Sequence, residues 1–239
     1  MLPHPSRTTP MPSDVVLIHG ALGARDQCAP LAAALAALGP LHLPELEGHG
    51  ATPSAGRPFR VAHFASNVLD SLDAAGVESA AFFGYSLGGY VALWLARHHP
   101  ARVRRVMTLA TKLRWTPALA EREAAMLDVS AIREKVPRFA SQLAARHGEE
   151  RWAEVVVATR EMMQWMGSSP ALGGDDLRAI TVPVRLVVGD RDATVSVDEC
   201  AEARALLPNG ELEVLPATPH PFERVPLPRL ARSALEFLG

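Results

Sequence analysis

The sequence predicts an α/β protein, with a mostly parallel, doubly wound sheet interrupted by one inserted run of helices. Two observations support this prediction. Short apolar, β-branched segments alternate with longer amphipathic segments, as strands and helices alternate in parallel sheets. That alternation stops near residue 112 and resumes near residue 181, and the residues between show only helical periodicity.

Composition excludes several other classes of protein. The 239 residues are 48% hydrophobic and 21% charged, which is typical of a globular domain that needs no disulfide or metal for stability. A net charge of -2 argues against a nucleic-acid binder, and the apolar stretches are too short to cross a membrane. Only Lys112 and Lys135 among the 24 basic residues are lysines, and we interpret this as compositional bias.

Four strands and three helices are predicted before the insertion. The first strand is the apolar run VVLI, which ends at His19-Gly20, and glycine or proline ends each of the three helices. In chain order these elements are strand 15–18, helix 29–38, strand 41–46, helix 64–75, strand 79–83, helix 87–98 and strand 103–109.

The insertion itself is expected to hold three helices, over residues 117–127, 130–146 and 149–166. It contains three of the four tryptophans and several methionines, which either pack on the sheet domain or line an apolar pocket. The α/β alternation then returns. The closing elements are strand 182–188, helix 197–207, strand 211–215 and helix 227–238.

These elements divide the chain into a sheet domain, 14–111 with 181–239, and a helical insertion, 112–180. Residues 1–13 are rich in proline and lack the apolar core of a signal peptide, so we expect a disordered lead-in. Cys28 and Cys200 are far apart and form no CxxC motif. We therefore expect a cytoplasmic protein. Its oligomeric state is expected to be either a monomer or a homodimer.

A G-x-S-x-G motif follows a predicted strand and opens a predicted helix. It reads Gly84-Tyr85-Ser86-Leu87-Gly88, and its setting is the one that a nucleophile elbow requires. The serine must occupy a strained turn, and glycines two residues either side keep neighbouring backbone clear. The alternative interpretation is a glycine-rich turn that only connects strand and helix.

A nucleophilic serine needs a base, and the base needs an acid that orients it. His220 follows the predicted strand 211–215, and Asp192 follows the strand 182–188, at the sheet edge where α/β proteins place their sites. Asp190 is the rival acid, although it more plausibly ties the turn together. The sequence therefore predicts a catalytic triad of Ser86, Asp192 and His220.

The backbone N–H groups of Ala21 and Leu87 are predicted to form an oxyanion hole. Ala21 lies in the glycine-containing loop after the first strand, and Leu87 begins the helix that follows Ser86. His19 is expected to brace this loop, and His49 to form local hydrogen bonds in a turn. Neither is expected to act in catalysis.

Five segments resemble the α/β-hydrolase superfamily, in its group of small serine hydrolases with a helical cap. They are HGALG (19–23), ELEGHG (45–50), GYSLGG (84–89), GDRD (189–192) and TPHPF (218–222). The resemblance implies an α/β-hydrolase fold, the Ser86–His220–Asp192 triad, no cofactor, and a cap over about residues 112–180 that shapes the substrate pocket. It also implies a core that lacks the usual first two strands.

The sequence departs from the family pattern at three places. Glu45-Leu46-Glu47 replaces the usual Asp-x-Pro before Gly-His-Gly, in a loop with a structural role. Prolines flank His220 where glycine usually precedes the histidine. Tyr90 stands where menaquinone-biosynthesis enzymes with a similar loop carry an arginine, which weakens the case for a synthase-type lyase.

We expect a carboxylesterase-like serine hydrolase that acts on small to medium apolar acyl esters. The same triad serves C–C bond, thioester and lactone hydrolysis or lyase chemistry, and a non-catalytic ligand-binding protein is the alternative of another class. No His, Asp or Cys cluster has the spacing of a metal site. The candidate pocket residues are Tyr85, Tyr90, Trp115, Met126, Met162 and Trp165.

Overall fold

The computed structural model describes residues 14–239, so the predicted disordered lead-in lies outside the described residues. Six strands form one parallel sheet in the order β2-β1-β3-β4-β5-β6. The strands are β1 (Val15–Ile18), β2 (Leu41–His42), β3 (Ala80–Tyr85), β4 (Val103–Leu109), β5 (Val184–Gly189) and β6 (Gly210–Leu215). The predicted α/β class and parallel sheet are confirmed.

Helices cover both faces of this sheet, which is why β1 and β3 are apolar and buried throughout. One core contains Phe64 and Tyr90, and the other contains Leu31 and Leu230. The flanking helices are α1 (Arg25–Ala34), α2 (Val61–Ala74), α3 (Leu87–His98), α9 (Val197–Leu206) and α10 (Leu227–Leu238). The sheet is therefore doubly wound.

Five helices and no strand lie between β4 and β5, all within the described part of the chain. They are α4 (Pro117–Ala125), α5 (Val129–Lys135), α6 (Pro137–His147), α7 (Trp152–Ser168) and α8 (Gly174–Arg178). We call residues 117–178 the helical segment. Its first helix is capped by Thr116, whose side chain accepts a hydrogen bond from the Leu119 N–H at 3.3 Å.

The predicted single helix over residues 130–146 is wrong. Pro137 divides it into α5 and α6, because proline donates no backbone hydrogen bond and disfavours helical backbone at the preceding residue. Val136 accordingly leaves the helical region, with φ -135° and ψ 58°. Pro137 then serves as the first residue of α6, a position that suits its fixed φ.

Several other elements also differ from the prediction. The first helix begins at Arg25 and ends at Ala34, followed by a 3-10 turn over Ala36–Leu38. The strand predicted over residues 41–46 is only two residues long, and α8 was not predicted at all. Among residues 14–239, every helix is too short or too polar to cross a bilayer.

Candidate active site

Ser86 lies in the sharp turn between β3 and α3, with φ 51° and ψ -114°. This left-handed backbone is strained for any residue other than glycine. The end of β4 holds the turn in place. The Ser86 N–H donates to the Leu109 carbonyl at 2.8 Å, and the Ser86 carbonyl accepts from Thr111 Oγ1 at 3.0 Å.

The glycines around Ser86 are required by close packing. A Cβ atom on Gly84 would collide with the backbone of Gly88 and Gly89, at the start of α3. A Cβ atom on Gly88 would collide with the carbonyl groups of Ile18 and His19, at the end of β1. The spacing of the motif therefore lets the turn lie directly against the loop after β1.

His220 and Asp192 form a hydrogen-bonded pair, with 2.8 Å between His220 Nδ1 and Asp192 Oδ2. The Asp192 side chain is fully buried, and its other oxygen accepts from the N–H groups of Thr194 and Val195, each at 2.8 Å. A carboxylate fixed in this way requires the proton on Nδ1, which leaves Nε2 free to accept one. Asp190 instead accepts from the Thr218 N–H at 3.2 Å.

Tyr85 supports the loop that carries His220. Its hydroxyl donates to the His220 carbonyl at 3.0 Å, and the two rings lie 5.6 Å apart. Burial raises the pKa of Tyr85, so the hydroxyl remains a donor. Phe222, in the 3-10 turn after His220, packs against the same tyrosine ring. Proline on both sides of His220 thus accompanies a well-anchored loop.

Two adjoining cavities meet at Ser86. The smaller has a volume of about 50 Å³ and the larger about 850 Å³. Both are lined by Ser86 and Ala21, and the larger is also lined by His220. The smaller cavity is mostly apolar, and its lining consists of Ala21, Ser86, Leu87, Tyr90, Lys112, Trp115, Glu123, Met162, Met163, Met166 and Thr194.

The two predicted oxyanion-hole residues also meet at the smaller cavity. Ala21 lies in the loop after β1, where Leu22 adopts a left-handed φ of 58°. Leu87 is the first residue of α3, whose positive dipole end faces Ser86. Within residues 14–239, the backbone N–H groups of Ala21 and Leu87 are not engaged in a hydrogen bond. Both donors are therefore free to bind an anion.

Two histidines of a buried group of three brace this loop. The His19 Nδ1–H donates to the Gly20 carbonyl at 2.8 Å, and His147 Nε2–H donates to the Leu22 carbonyl at 3.0 Å. His49 lies between them, with ring centroids 5.2 Å from His19 and 5.7 Å from His147. Burial lowers the pKa of all three, that of His19 to about 4, so they are neutral near pH 7.

A buried group of charges borders the smaller cavity. Lys112 Nζ donates to the Thr194 carbonyl at 2.8 Å and lies 3.6 Å from Glu123 Oε1 and 4.0 Å from Glu199 Oε2. These residues are not among the site residues predicted from the sequence. Lys112 was detectable, because it is one of two lysines in the chain and follows the carboxyl end of β4.

The predicted pocket residues are only partly brought together. Tyr90, Trp115 and Met162 line the smaller cavity, and Tyr85 and Met126 line the larger. Trp165 lines neither. It lies on the outer side of α7, where the guanidinium of Arg60 stacks 4.4 Å from its ring, so its assignment to the pocket is corrected. Met163 and Met166, one helical turn away or less, line the smaller cavity instead.

Within residues 14–239, no group of three or more His, Cys, Asp or Glu side chains could hold a metal ion. The chemistry that the site itself offers is that of a serine, an acid-paired imidazole and two free backbone donors. These are the components of acyl transfer.

Comparison with known proteins agrees with the fold. A sequence model of the alpha/beta hydrolase fold matches residues 15–173. The solved enol-lactonase of Burkholderia xenovorans LB400 shares the fold, with a TM-score of 0.78 at 20% identity over 95% of this chain and 91% of that one. Both findings confirm the resemblance drawn from the sequence motifs.

Two sequence relatives are enzymes. A pimeloyl-[acyl-carrier protein] methyl ester esterase of Neisseria meningitidis is 39% identical over 102 residues, which is 43% of this chain but only 38% of that protein. The chain thus matches well under half the length of that relative. The 3-oxoadipate enol-lactonase 2 of Acinetobacter baylyi is 26% identical over 193 residues, 73% of this chain and 69% of that protein. The chain belongs to the alpha/beta hydrolase fold family, and its sequence relatives include esterases and a lactonase.

Proposed function

We propose that this protein is a serine hydrolase that cleaves carboxylic esters of small to medium apolar acyl groups. The observation that carries the proposal is the 2.8 Å hydrogen bond between His220 and the buried Asp192, beside a serine held at φ 51°. His220 and Ser86 line the same cavity. This combination supports nucleophilic catalysis by Ser86 through a covalent acyl-enzyme.

In the first half of the proposed reaction, Ser86 Oγ attacks the ester carbonyl carbon while His220 Nε2 accepts the hydroxyl proton. The carboxylate of Asp192 stabilises the imidazolium that forms. The carbonyl oxygen becomes an oxyanion that accepts hydrogen bonds from the N–H groups of Ala21 and Leu87. Each such donor lowers the barrier by about 3–4 kcal/mol.

In the second half, His220 passes its proton to the leaving alcohol and the acyl-enzyme remains on Ser86. Water, deprotonated by His220, then attacks the acyl carbon, and His220 returns that proton to Ser86 Oγ as the carboxylic acid is released. Because His220 must reach the leaving oxygen, we assign the alcohol to the larger cavity, which His220 lines. The acyl chain then occupies the smaller, mostly apolar cavity.

Lactone hydrolysis is the second candidate. It is favoured by the likeness to 3-oxoadipate enol-lactonase 2, which extends over 73% of this chain. A lactone is a cyclic ester, so the same two steps apply, and the leaving alcohol stays attached to the acyl group. The two candidates differ in substrate shape. An open-chain ester places its acyl and alcohol parts in separate cavities, whereas a lactone is a single ring system that lies across both.

We further propose that the substrate is a small molecule, that the protein needs no cofactor, and that it acts in the cytoplasm. Both cysteines are free and buried, and burial raises the pKa of each thiol to about 12. Thiols of this kind are unreactive and are typical of a reducing compartment.

The test is turnover of p-nitrophenyl esters of increasing acyl length and of a panel of lactones, by the wild type and by Ser86→Ala. We expect wild-type turnover of short and medium esters and a loss of at least about 10³-fold in Ser86→Ala. A fluorophosphonate probe should label the wild type alone. A folded wild type that neither turns over these substrates nor reacts with the probe would identify a ligand-binding protein instead.

A further inference from the structure

Lys112 is a buried cation at the wall of the smaller cavity. It follows the carboxyl end of β4 and is only 8% exposed. Nothing in the proposed acyl transfer uses it. Burying a lysine is costly unless its charge is compensated, so its surroundings decide what it can do.

The charges around Lys112 are balanced. Glu199 is held by the N–H groups of Leu113 and Arg114, at 2.9 and 3.0 Å, and Glu123 accepts from Arg122 at 2.8 Å. Lys112 and Arg122 thus face Glu123 and Glu199, two positive groups against two negative ones. An additional carboxylate in the cavity would be a third anion around one buried ammonium, which electrostatics disfavours.

The ammonium nevertheless has hydrogen-bonding capacity to spare. It carries three donors, and the Thr194 carbonyl at 2.8 Å takes one. The nearest oxygens of Glu123 and Glu199, at 3.6 and 4.0 Å, are too distant for good hydrogen bonds. Glu123 lines the same cavity and offers carboxylate oxygens, which only accept. The wall therefore presents one donor and one acceptor to an otherwise apolar space.

A hydroxyl group matches this pair, because it accepts from an ammonium and donates to a carboxylate at the same time. A plain alkyl group would add no hydrogen bond to either charged group, and a carboxylate would be repelled by Glu123. We infer that the smaller cavity selects acyl groups that carry a hydroxyl remote from the ester, with Lys112 and Glu123 as the specificity-determining residues. This inference rests on the proposed function, in which that cavity holds the acyl chain.

The experiment compares kcat/KM for three matched p-nitrophenyl esters: hexanoate, its terminally hydroxylated form and its terminally carboxylated form, with the octanoate series alongside. In the wild type we expect the hydroxylated ester to be preferred about tenfold over the alkyl ester, the usual size of one hydrogen bond to a charged group. In Lys112→Met this preference should fall to about one. Lys135→Met, the exposed lysine of α5, is the control and should keep the wild-type ratio.

Glu123→Gln is the second variant, and it serves if Lys112→Met fails to fold by circular dichroism. It removes the negative charge and keeps the shape, so the penalty against the carboxylated ester should shrink by about tenfold. If alkyl esters are turned over, but the ratio of kcat/KM for hydroxylated and alkyl esters is the same in the wild type and in both variants, this inference is overturned and the proposed function stands. Absence of turnover and of fluorophosphonate labelling in the wild type overturns the proposed function, and this inference with it.

Discussion

Histidines occupy two contrasting regions beside Ser86. The buried cluster of His19, His49 and His147 is fully inaccessible, and the hydrogen bonds its rings make are to backbone groups. His220 keeps 23% of its side chain exposed, lines the larger cavity and is paired with a carboxylate. The cluster lacks any such acid partner at hydrogen-bond distance within the described residues.

The contrast shows which features separate a structural histidine from a reactive one. Burial lowers the pKa of the cluster histidines and leaves them neutral, so they act as fixed donors and acceptors that shape the loop at Ala21. At His220, the carboxylate fixes one tautomer and the exposed side faces the larger cavity, as the proposed role of a general base requires. The residue type is the same in both places, so burial and the hydrogen-bond partners of each imidazole distinguish the two environments.

Removal of the acid partner should break this contrast most strongly. Asp192→Asn would favour the wrong tautomer of His220, and we expect kcat on a good ester substrate to fall about 10⁴-fold. Asp190→Asn is the matched control, because its carboxylate only ties the Thr218 N–H, and its effect should stay within about tenfold. Equal losses in the two variants, with both proteins folded, would argue against Asp192 as the acid.

A change in the buried cluster should act on stability instead. His147→Ala removes the hydrogen bonds to the Leu22 carbonyl and the Gly50 N–H and leaves a cavity. We expect a loss of about 2–4 kcal/mol in the free energy of unfolding, measured by urea denaturation. The half-buried His63, whose ring makes one hydrogen bond to the Pro58 carbonyl, is the control, and His63→Ala should cost under about 1 kcal/mol. A variant at residue 147 as stable as the wild type would contradict the bracing role.

Per pH unit, the smallest expected effect is the dependence of stability on pH. Burial lowers the pKa of His19 from 6.5, its value in an unfolded chain, to about 4 in the folded protein. Below pH 6.5 the unfolded chain therefore binds a proton that the folded chain does not. Stability should therefore be complete above pH 6.5 and fall as the pH drops toward 4, by up to about 1.4 kcal/mol per pH unit. Urea denaturation at several pH values measures this slope, and His19→Gln should reduce it. An unchanged slope in that variant would show that other groups control the acid sensitivity.

The sequence was sufficient to predict the alternating elements of the sheet domain. Strands such as Val15–Ile18 are continuous apolar runs because both faces of the sheet are covered, so local composition reports burial directly. The motif around Ser86 was equally predictable, because its glycines prevent collisions that arise within the sharp turn itself. The pairing of His220 with Asp192 could be proposed because both follow parallel strands.

Features that depend on distant contacts were not predictable. Lys112 stands out in the sequence as a rare lysine, but its grouping with Glu123 and Glu199 forms only when the segment after β4, α4 and α9 come together. Trp165 lies on α7 close to Met162 and Met166. Packing of α7 against α4 decides which face of the helix lines the cavity, and sequence alone does not show that face. The break at Pro137 differs, because its signal is local. A proline within residues 130–146 indicates that one helix ends before it and another begins with it, so the predicted single helix overlooks this signal.

The order of the sheet has a consequence for synthesis on the ribosome. Ala21 and Ser86 follow β1 and β3, whereas Asp192 and His220 follow β5 and β6, beyond the helical segment. A nascent chain therefore exposes the proposed nucleophile long before the base that activates it can exist. Under the proposed mechanism, the triad is complete only after β6 has joined the sheet, so a partly made chain lacks the proposed esterase activity.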